Sequence, residues 1–216
     1  MKYSSFVLIF LSTFSVCSCQ QPAKKAAASD IKVGGNCEGC EAIYESPIAF
    51  DQLKEVDTLP DFTEDGPKLE VNGIIYKADG KTPAPGVVLY IYHTDQKGKY
   101  SKKGDEKGWG KRHGYIRGWV KTDQNGFYKF YTLVPASYPN SNNPKHIHPT
   151  IKEPGLTEYW IDEFLFEDDP LLPEAEKEKR QPVGGNGVLK TEMKDGMLKA
   201  TRNIILGLNV RDYPKK

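Results

Sequence analysis

The chain has 216 residues, carries 30 Lys and Arg against 29 Asp and Glu, and is 38% hydrophobic. This balance excludes a disordered chain, which needs lower hydrophobicity or a larger net charge, and a dedicated nucleic-acid binder, which needs a basic excess. Its 20 Gly and 15 Pro predict frequent turns, hence a β-rich fold rather than a helix bundle.

At the N-terminus, Met1-Lys2 leads into an apolar run of 11 residues, Phe6 to Val16. That is the length of a signal-peptide core and too short to span a bilayer. Ser18 precedes Cys19 as in a bacterial lipobox, whereas bulky Val16 makes Cys17 a poorer choice. Residues 1–18 therefore read as a signal peptide and Cys19 as the lipidated first residue of the mature chain. The plainer alternative is a secreted protein cut nearby. Residues 19–35 read as a flexible tether. Either way the body lies outside the cytoplasm, periplasmic or at the cell surface, and it touches the membrane only through a lipid.

Residues 36–66 form an N-terminal segment that opens with Cys37-Glu38-Gly39-Cys40. In an oxidising compartment a short-loop disulfide is the first expectation for this pair. A thioredoxin-like redox pair would need a βαβ context, and a zinc site would need a second ligand pair.

From residue 67 to 213 the pattern is that of strands and turns. Residues 69–76 are β-branched and apolar, and they end at the turn Ala78-Asp79-Gly80-Lys81. Residues 87–92 (VVLYIY) predict a strand buried on both faces. Residues 98–114 are polar and basic, a long loop of the kind that often carries function; the lysines are a solvated surface that would also draw in anionic aromatic acids. Trp109 within it either walls a pocket or packs on the surface. Residues 115–122 and 127–133 read as a hairpin around Asp123-Gln124-Asn125-Gly126. Further strands are expected at 146–151, 159–166, 188–193 and 197–210, with a solvated helical turn or loop over 173–180. The fold class is all-β: an antiparallel β-sandwich of about eight strands with long active-site loops. Tyr90, Tyr92, Tyr128 and Phe130 are expected in its core, and His93 and His113 on its surface.

The chemistry concentrates at His146-Ile147-His148. Residues i and i+2 of a strand share a face, so both imidazoles can reach one point, as metal ligands do. Two unrelated surface histidines would leave the same trace. Tyr138, eight residues earlier, means little alone.

Taken together, the pieces resemble the catalytic core of the intradiol ring-cleavage dioxygenases, the protocatechuate 3,4-dioxygenase and catechol 1,2-dioxygenase family. They are Leu69-Glu70-Val71-Asn72-Gly73, Asp79-Gly80-Lys81, Pro85-Gly86-Val87, Gly98-Lys99-Tyr100, Gly126-Phe127-Tyr128, Val134-Pro135-Ala136-Ser137-Tyr138-Pro139 and Pro144-Lys145-His146-Ile147-His148. They stand in the family's order, with weaker matches over residues 164–171 and near Ile204. The Cys-Glu-Gly-Cys opening looks closest to the family's small secreted members. The resemblance implies a mononuclear non-haem Fe(III) held by Tyr100, Tyr138, His146 and His148. Phenolates are hard anionic donors suited to a ferric ion. It also implies that a catechol displaces Tyr138, which accepts one of its protons. The ring is then opened with O2 between its hydroxyl-bearing carbons, giving a muconate-type diacid.

Three positions depart from the pattern. Asn143 stands where the family has an arginine, with Lys145 nearby as a possible substitute. Glu163 stands where a supporting glutamine is expected, and Pro149 replaces an aromatic residue. Asn143 favours an alternative, a non-catalytic β-sandwich binding module that retains the dioxygenase fold. Retention of all four ligand positions favours the enzyme.

Overall fold

The computed structural model describes residues 30–178 and 181–215. Cys19 and the expected signal peptide and tether up to residue 29 lie outside the described residues. No described helix is long and apolar enough to cross a membrane.

Among the described residues, twelve strands form two six-stranded sheets. In chain order they are β1 (Val56–Thr58), β2 (Lys68–Tyr76), β3 (Val88–His93), β4 (Arg117–Lys121), β5 (Phe127–Leu133), β6 (His146–Lys152), β7 (Tyr159–Trp160), β8 (Phe164–Phe166), β9 (Val188–Leu189), β10 (Glu192–Lys194), β11 (Met197–Thr201) and β12 (Ile204–Ile205). The first sheet runs β1-β5-β2-β11-β10, with β12 also on β2; the second runs β4-β3-β6-β8-β9, with β7 also on β6. Two short helical turns, α1 (Gly110–His113) and α2 (Glu174–Lys177), interrupt the loops.

The sandwich follows from alternation. In β5, Tyr128, Phe130 and Thr132 are buried while Phe127, Lys129 and Tyr131 are half-exposed, so one face meets the other sheet. Leu69, Val71 and Ile75 of β2, Leu89 and Ile91 of β3, and Ile147 and Ile151 of β6 complete the core between the sheets. Turn chemistry sets the hairpins. Asp123 Oδ1 accepts from Asn125 N and Phe127 N, both at 2.8 Å, closing the β4–β5 turn. Asp195 and Gly196 take φ of 55° and 76° between β10 and β11, the paired left-handed residues of a tight hairpin.

The sandwich differs from the expected one in two respects. The described strands number twelve rather than about eight: residues 159–166 divide into β7 and β8, and residues 197–210 into β11 and β12. The sheets are also mixed, because β1–β5, β2–β11, β2–β12 and β8–β9 pair in parallel. Side-chain alternation marks a strand's faces but not its direction, so a long return connection leaves no local trace. Gly73 explains one division. A Cβ there would lie 1.8 Å from the Arg202 carbonyl oxygen. Its absence lets the chain between β11 and β12 cross over β2, where Arg202 N donates to Asn72 O and Asn203 Oδ1 accepts from Ile74 N.

The second sheet also buries its outer face. Val88 and Tyr90 of β3 and Trp119 of β4 pack there under Ala42 and Ile43 of a 3-10 turn, Cys40–Glu45, and under Leu53. Trp119 Nε1 donates to Ile43 O at 2.9 Å. Cys37 and Cys40 are joined by a disulfide just before this turn.

Candidate metal centre

Tyr100 follows β3 on a tight loop. The Asp95 carboxylate accepts from Lys97 N at 2.8 Å, from Lys99 N at 3.0 Å, and from the Ser101 hydroxyl. Tyr138 follows β5, and its loop is tied to the same place. Thr94 Oγ1 donates to Ala136 O at 2.6 Å, and Gln96 Nε2 to Val134 O at 2.7 Å. The two loops meet backbone to backbone at Gly98, where φ is +69° and an added Cβ would fall 2.0 Å from Ser137 O. His146 and His148 share the outer face of β6. The Lys145 amide upstream is anchored by Asp169 at 2.7 Å.

Four donor atoms converge. His146 Nε2 and His148 Nε2 lie 3.0 Å apart. Tyr100 Oη is 2.8 Å from His148 Nε2, and Tyr138 Oη is 3.0 Å from His146 Nε2 and 3.3 Å from His148 Nε2. The two phenol oxygens are also in contact. His146 Nδ1 donates to Pro144 O at 2.7 Å, which leaves Nε2 as a lone pair. His148 Nδ1 faces a Glu163 carboxylate oxygen at 3.5 Å. Each imidazole thus has its back held by an oxygen and its other nitrogen aimed at the phenols, the usual arrangement of metal-ligating histidines.

The electrostatics agree with this geometry. Burial, aided by His146, pushes His148 down to about 3, so the ring is neutral. Burial raises both Tyr100 and Tyr138, with Tyr138 hydrogen-bonding adding to the rise at Tyr100. Two neutral phenols share two protons among four electron-rich atoms. A hard cation at their centre supplies the positive charge that burial withholds, and this donor set fits Fe(III). Glu163, His146 and His148 each offer an atom within 4.8 Å of the others. Glu163 approaches His148 from the Nδ1 side, away from the phenols, which makes it an orienting partner of His148 rather than a further ligand.

Two clefts meet at this centre, sharing His148 and Glu163. One, of about 570 Å³, is bordered by Tyr138, Asn143, Pro144 and Leu165. The other, of about 410 Å³, lies between the Asn36–Gly39 loop and Tyr92, Trp160 and Glu163. Asn143 presents a neutral amide to the first cleft. Lys145 lines neither; its ammonium sits 3.1 Å from Asp168 and over the Phe166 ring, so it is not placed to replace an arginine there.

Sequence reasoning missed the support behind His148. Tyr92 does not fill the inter-sheet core. It is the cross-strand neighbour of His148 and stacks on it at 4.6 Å, and His113 stacks on Tyr92 at 3.7 Å with planes 3° apart. Neither His93 nor His113 is a surface residue: they are 1% and 6% exposed. His93 Nε2 lies 2.6 Å from Thr132 Oγ1 deep in the sandwich. The Tyr90 hydroxyl lies 2.8 Å from His113 Nδ1; burial lowers His113 to about 4, so the ring is neutral. The one sequence signal was the alternation of Tyr90 and Tyr92, which places both on the face that carries His148. Trp109 tilts against His113 at 5.4 Å and lines neither cleft.

Comparison with known proteins agrees with this architecture. A family model described as dioxygenase, Dioxygenase_C, matches residues 42–194. Catechol 1,2-dioxygenase 1 of Acinetobacter lwoffii is 30% identical over 138 residues, 56% of this chain and 42% of that protein. The protocatechuate 3,4-dioxygenase beta chain of Burkholderia cepacia is 26% identical over 113 residues, 50% of this chain and 48% of that one. The chain thus spans less than half the length of these curated relatives. Among solved structures, 3-chlorocatechol 1,2-dioxygenase of Rhodococcus opacus 1CP superposes with a TM-score of 0.52 at 21% identity, covering 68% of this chain and 63% of that one. The dioxygenase domain of a dioxygenase carbohydrate-binding fusion from Streptomyces sp. SirexAA-E gives 0.51 at 19% identity, covering 70% and 88%. These two likenesses speak for the fold alone; the family match over most of the chain shows that it belongs to the intradiol dioxygenase family.

Proposed function

We propose that the protein is an exported non-haem Fe(III) dioxygenase that opens catecholic rings between their two hydroxyl-bearing carbons, using O2 to give muconate-type diacids. The observation that carries this reading is the convergence of Tyr100, Tyr138, His146 and His148 at one point between two clefts. Bound there, Fe(III) supplies the Lewis acidity that prepares a catechol for O2.

The residues divide the remaining work. His146 and His148 point lone pairs inward because Pro144 O and Glu163 hold their other nitrogens. Tyr92 fixes the plane of the His148 ring. Tyr100 is the enduring phenolate, on a loop clamped by Asp95. Tyr138 borders the open 570 Å³ cleft and acts as the base that takes a catechol proton. Asn143 offers that cleft a dipole rather than a charge, so negative charge developing on the ring is stabilised less than an arginine would achieve.

Iron loading followed by oxygen uptake over a catechol panel tests the reading. An intact tyrosinate–Fe(III) site is reddish-brown, and His146→Ala or His148→Ala removes both iron and colour. Tyr100→Phe alters the spectrum with and without catechol, whereas Tyr138→Phe alters only the resting spectrum and slows substrate binding. A protein that takes up iron and colour yet consumes no oxygen with any catechol is instead the binding module, the reading that Asn143 favours. Export through a lipidated Cys19 is tested separately: Cys19→Ala releases the protein from the membrane fraction, and unchanged retention refutes the anchor.

A further inference from the structure

Building on the dioxygenase reading, we propose that the cleft between the Cys37–Cys40 loop and Trp160 is the substituent site, and that it selects catechols bearing a second, uncharged aromatic ring over carboxylated catechols. The cleft adjoins the metal centre, sharing His148 and Glu163 with the cleft that Tyr138 and His146 border, and its volume is about 410 Å³. Sites of this size hold drug-sized ligands, more than a single ring. Its far end is aromatic. In β7, Trp160 pairs with Thr150 of β6, while His148 two residues earlier pairs with Tyr92. Trp160, Thr150, His148 and Tyr92 therefore share one face of the sheet. Trp160 is 41% exposed, an indole facing open space with no ring partner among the described residues. The opposite cleft has no aromatic side chain beyond the donors themselves.

Charge excludes the alternative class. Glu38 and Glu163 line the cleft, and no described Lys or Arg does. The Arg112 guanidinium at the rim is engaged by the Glu38 carboxylate. A carboxylate entering here meets the Glu38 and Glu163 side chains, and no described cation lines the cleft to receive it. An uncharged ring has Trp160, Tyr92, Pro149 and Ile161 to pack against.

The wall opposite Trp160 is preformed, which lowers the cost of binding. The disulfide closes residues 37–40. Gly39, at φ +85°, packs so closely that a Cβ would lie 2.9 Å from His113 Nε2 and 3.3 Å from Trp109. The loop thus rests on the same aromatic stack that backs His148.

The test compares kcat/KM for catechol, protocatechuate and 4-phenylcatechol in the iron-loaded wild type, Trp160→Ala and Glu38→Lys proteins. In the wild type, 4-phenylcatechol exceeds protocatechuate by at least tenfold. Trp160→Ala lowers the ratio of 4-phenylcatechol to catechol about tenfold, the scale of one aromatic contact. Glu38→Lys raises protocatechuate relative to catechol. A wild type that prefers protocatechuate, or a ratio unmoved by Trp160→Ala, overturns the proposal. Tryptophan fluorescence of the metal-free protein, titrated with 4-phenylcatechol, separates this inference from the dioxygenase reading. Saturable quenching that Trp160→Ala abolishes supports the site even if no catechol is consumed, and quenching that survives the substitution or never saturates refutes it.

Discussion

The sheet built on β3, β4 and β6 has two faces made by opposite rules. Its inner face is aliphatic: Leu89, Ile91, Val120, Ile147 and Ile151 are all 0% exposed. Its outer face alternates with them along the same strands, yet it carries Tyr90, Tyr92, Trp119, His146 and His148. The inner face is held mainly by apolar burial, with a polar contact between His93 and Thr132 at the end of β3, and is closed by the opposite sheet. The outer face is held by stacked rings and hydrogen bonds, and it is closed by loops and by the segment from residue 36 to 55. The difference shows how one strand serves stability and chemistry together. Even-numbered side chains of β6 are free to be polar because the odd-numbered ones anchor it.

The largest expected effect sharpens the inner face. Phe130 is fully buried and edge-on to Phe164 at 5.8 Å. Phe130→Ala should cost about 4 kcal/mol in urea unfolding; a loss under about 1 kcal/mol would mean that the two sheets do not share a tight core.

The outer face should answer to pH. His113 sits at about 4 when folded, against 6.5 as the ordinary value. The unfolded chain therefore takes up the proton first as pH falls. The stability this group supports is complete above pH 6.5 and is lost toward pH 4, in total on the order of 3 kcal/mol. His113→Phe keeps a ring against Tyr92 and should reduce the slope of the metal-free protein's unfolding free energy across that window, the rest of the slope coming from His148. An unchanged slope would show that His113 is not buried as a neutral base.

Gly98 tests whether the loops over the outer face set the ligand spacing. Gly98→Ala forces a side chain into Ser137 O and should cost about 2 kcal/mol and weaken iron retention. Gly155 has φ +79° but nothing within 4 Å of an added Cβ, so Gly155→Ala should cost about 1 kcal/mol and leave iron unaffected. Metal analysis beside thermal melts distinguishes the two, and equal iron contents would disprove the role of the Gly98 contact.

The smallest effect concerns the cover. Trp119→Phe removes the hydrogen bond to Ile43 O and should cost about 1 kcal/mol. Amide exchange over residues 40–45 should quicken while β2 and β5 stay protected; uniform change across the chain would argue against a separately held cover.

Much of this was legible from residue order. The alternation in residues 127–133 and the continuous apolar run at 87–92 specify strands, and Asp123 to Gly126 specifies a turn, because these signals are local. His146 and His148 belong together through the period of a strand. Tyr100 and Tyr138 could be joined to them only through family resemblance, since nothing local ties a loop after β3 to a loop after β5. His113 looked like a surface residue in a lysine-rich loop, and only the packing of α1 against Tyr92 buries it. Parallel pairing of β2 with β11 and β12 was equally silent, because alternation carries no direction.

By itself, then, the amino-acid order determined a β-rich chain, its strand faces, its turns and a pair of histidines aimed at one point. These rest on steric and solvation preferences that act within a few residues. The tertiary structure alone decided that two loops bring their phenols to those histidines, that Tyr92 and His113 back them, and that the Cys37–Cys40 segment walls the cleft. Except for Tyr138 with the histidines, these contacts join residues far apart in the chain, as Tyr100 and His148 are at 48 positions. Such contacts form only once burial of the common core has brought the two sheets and their loops into one place.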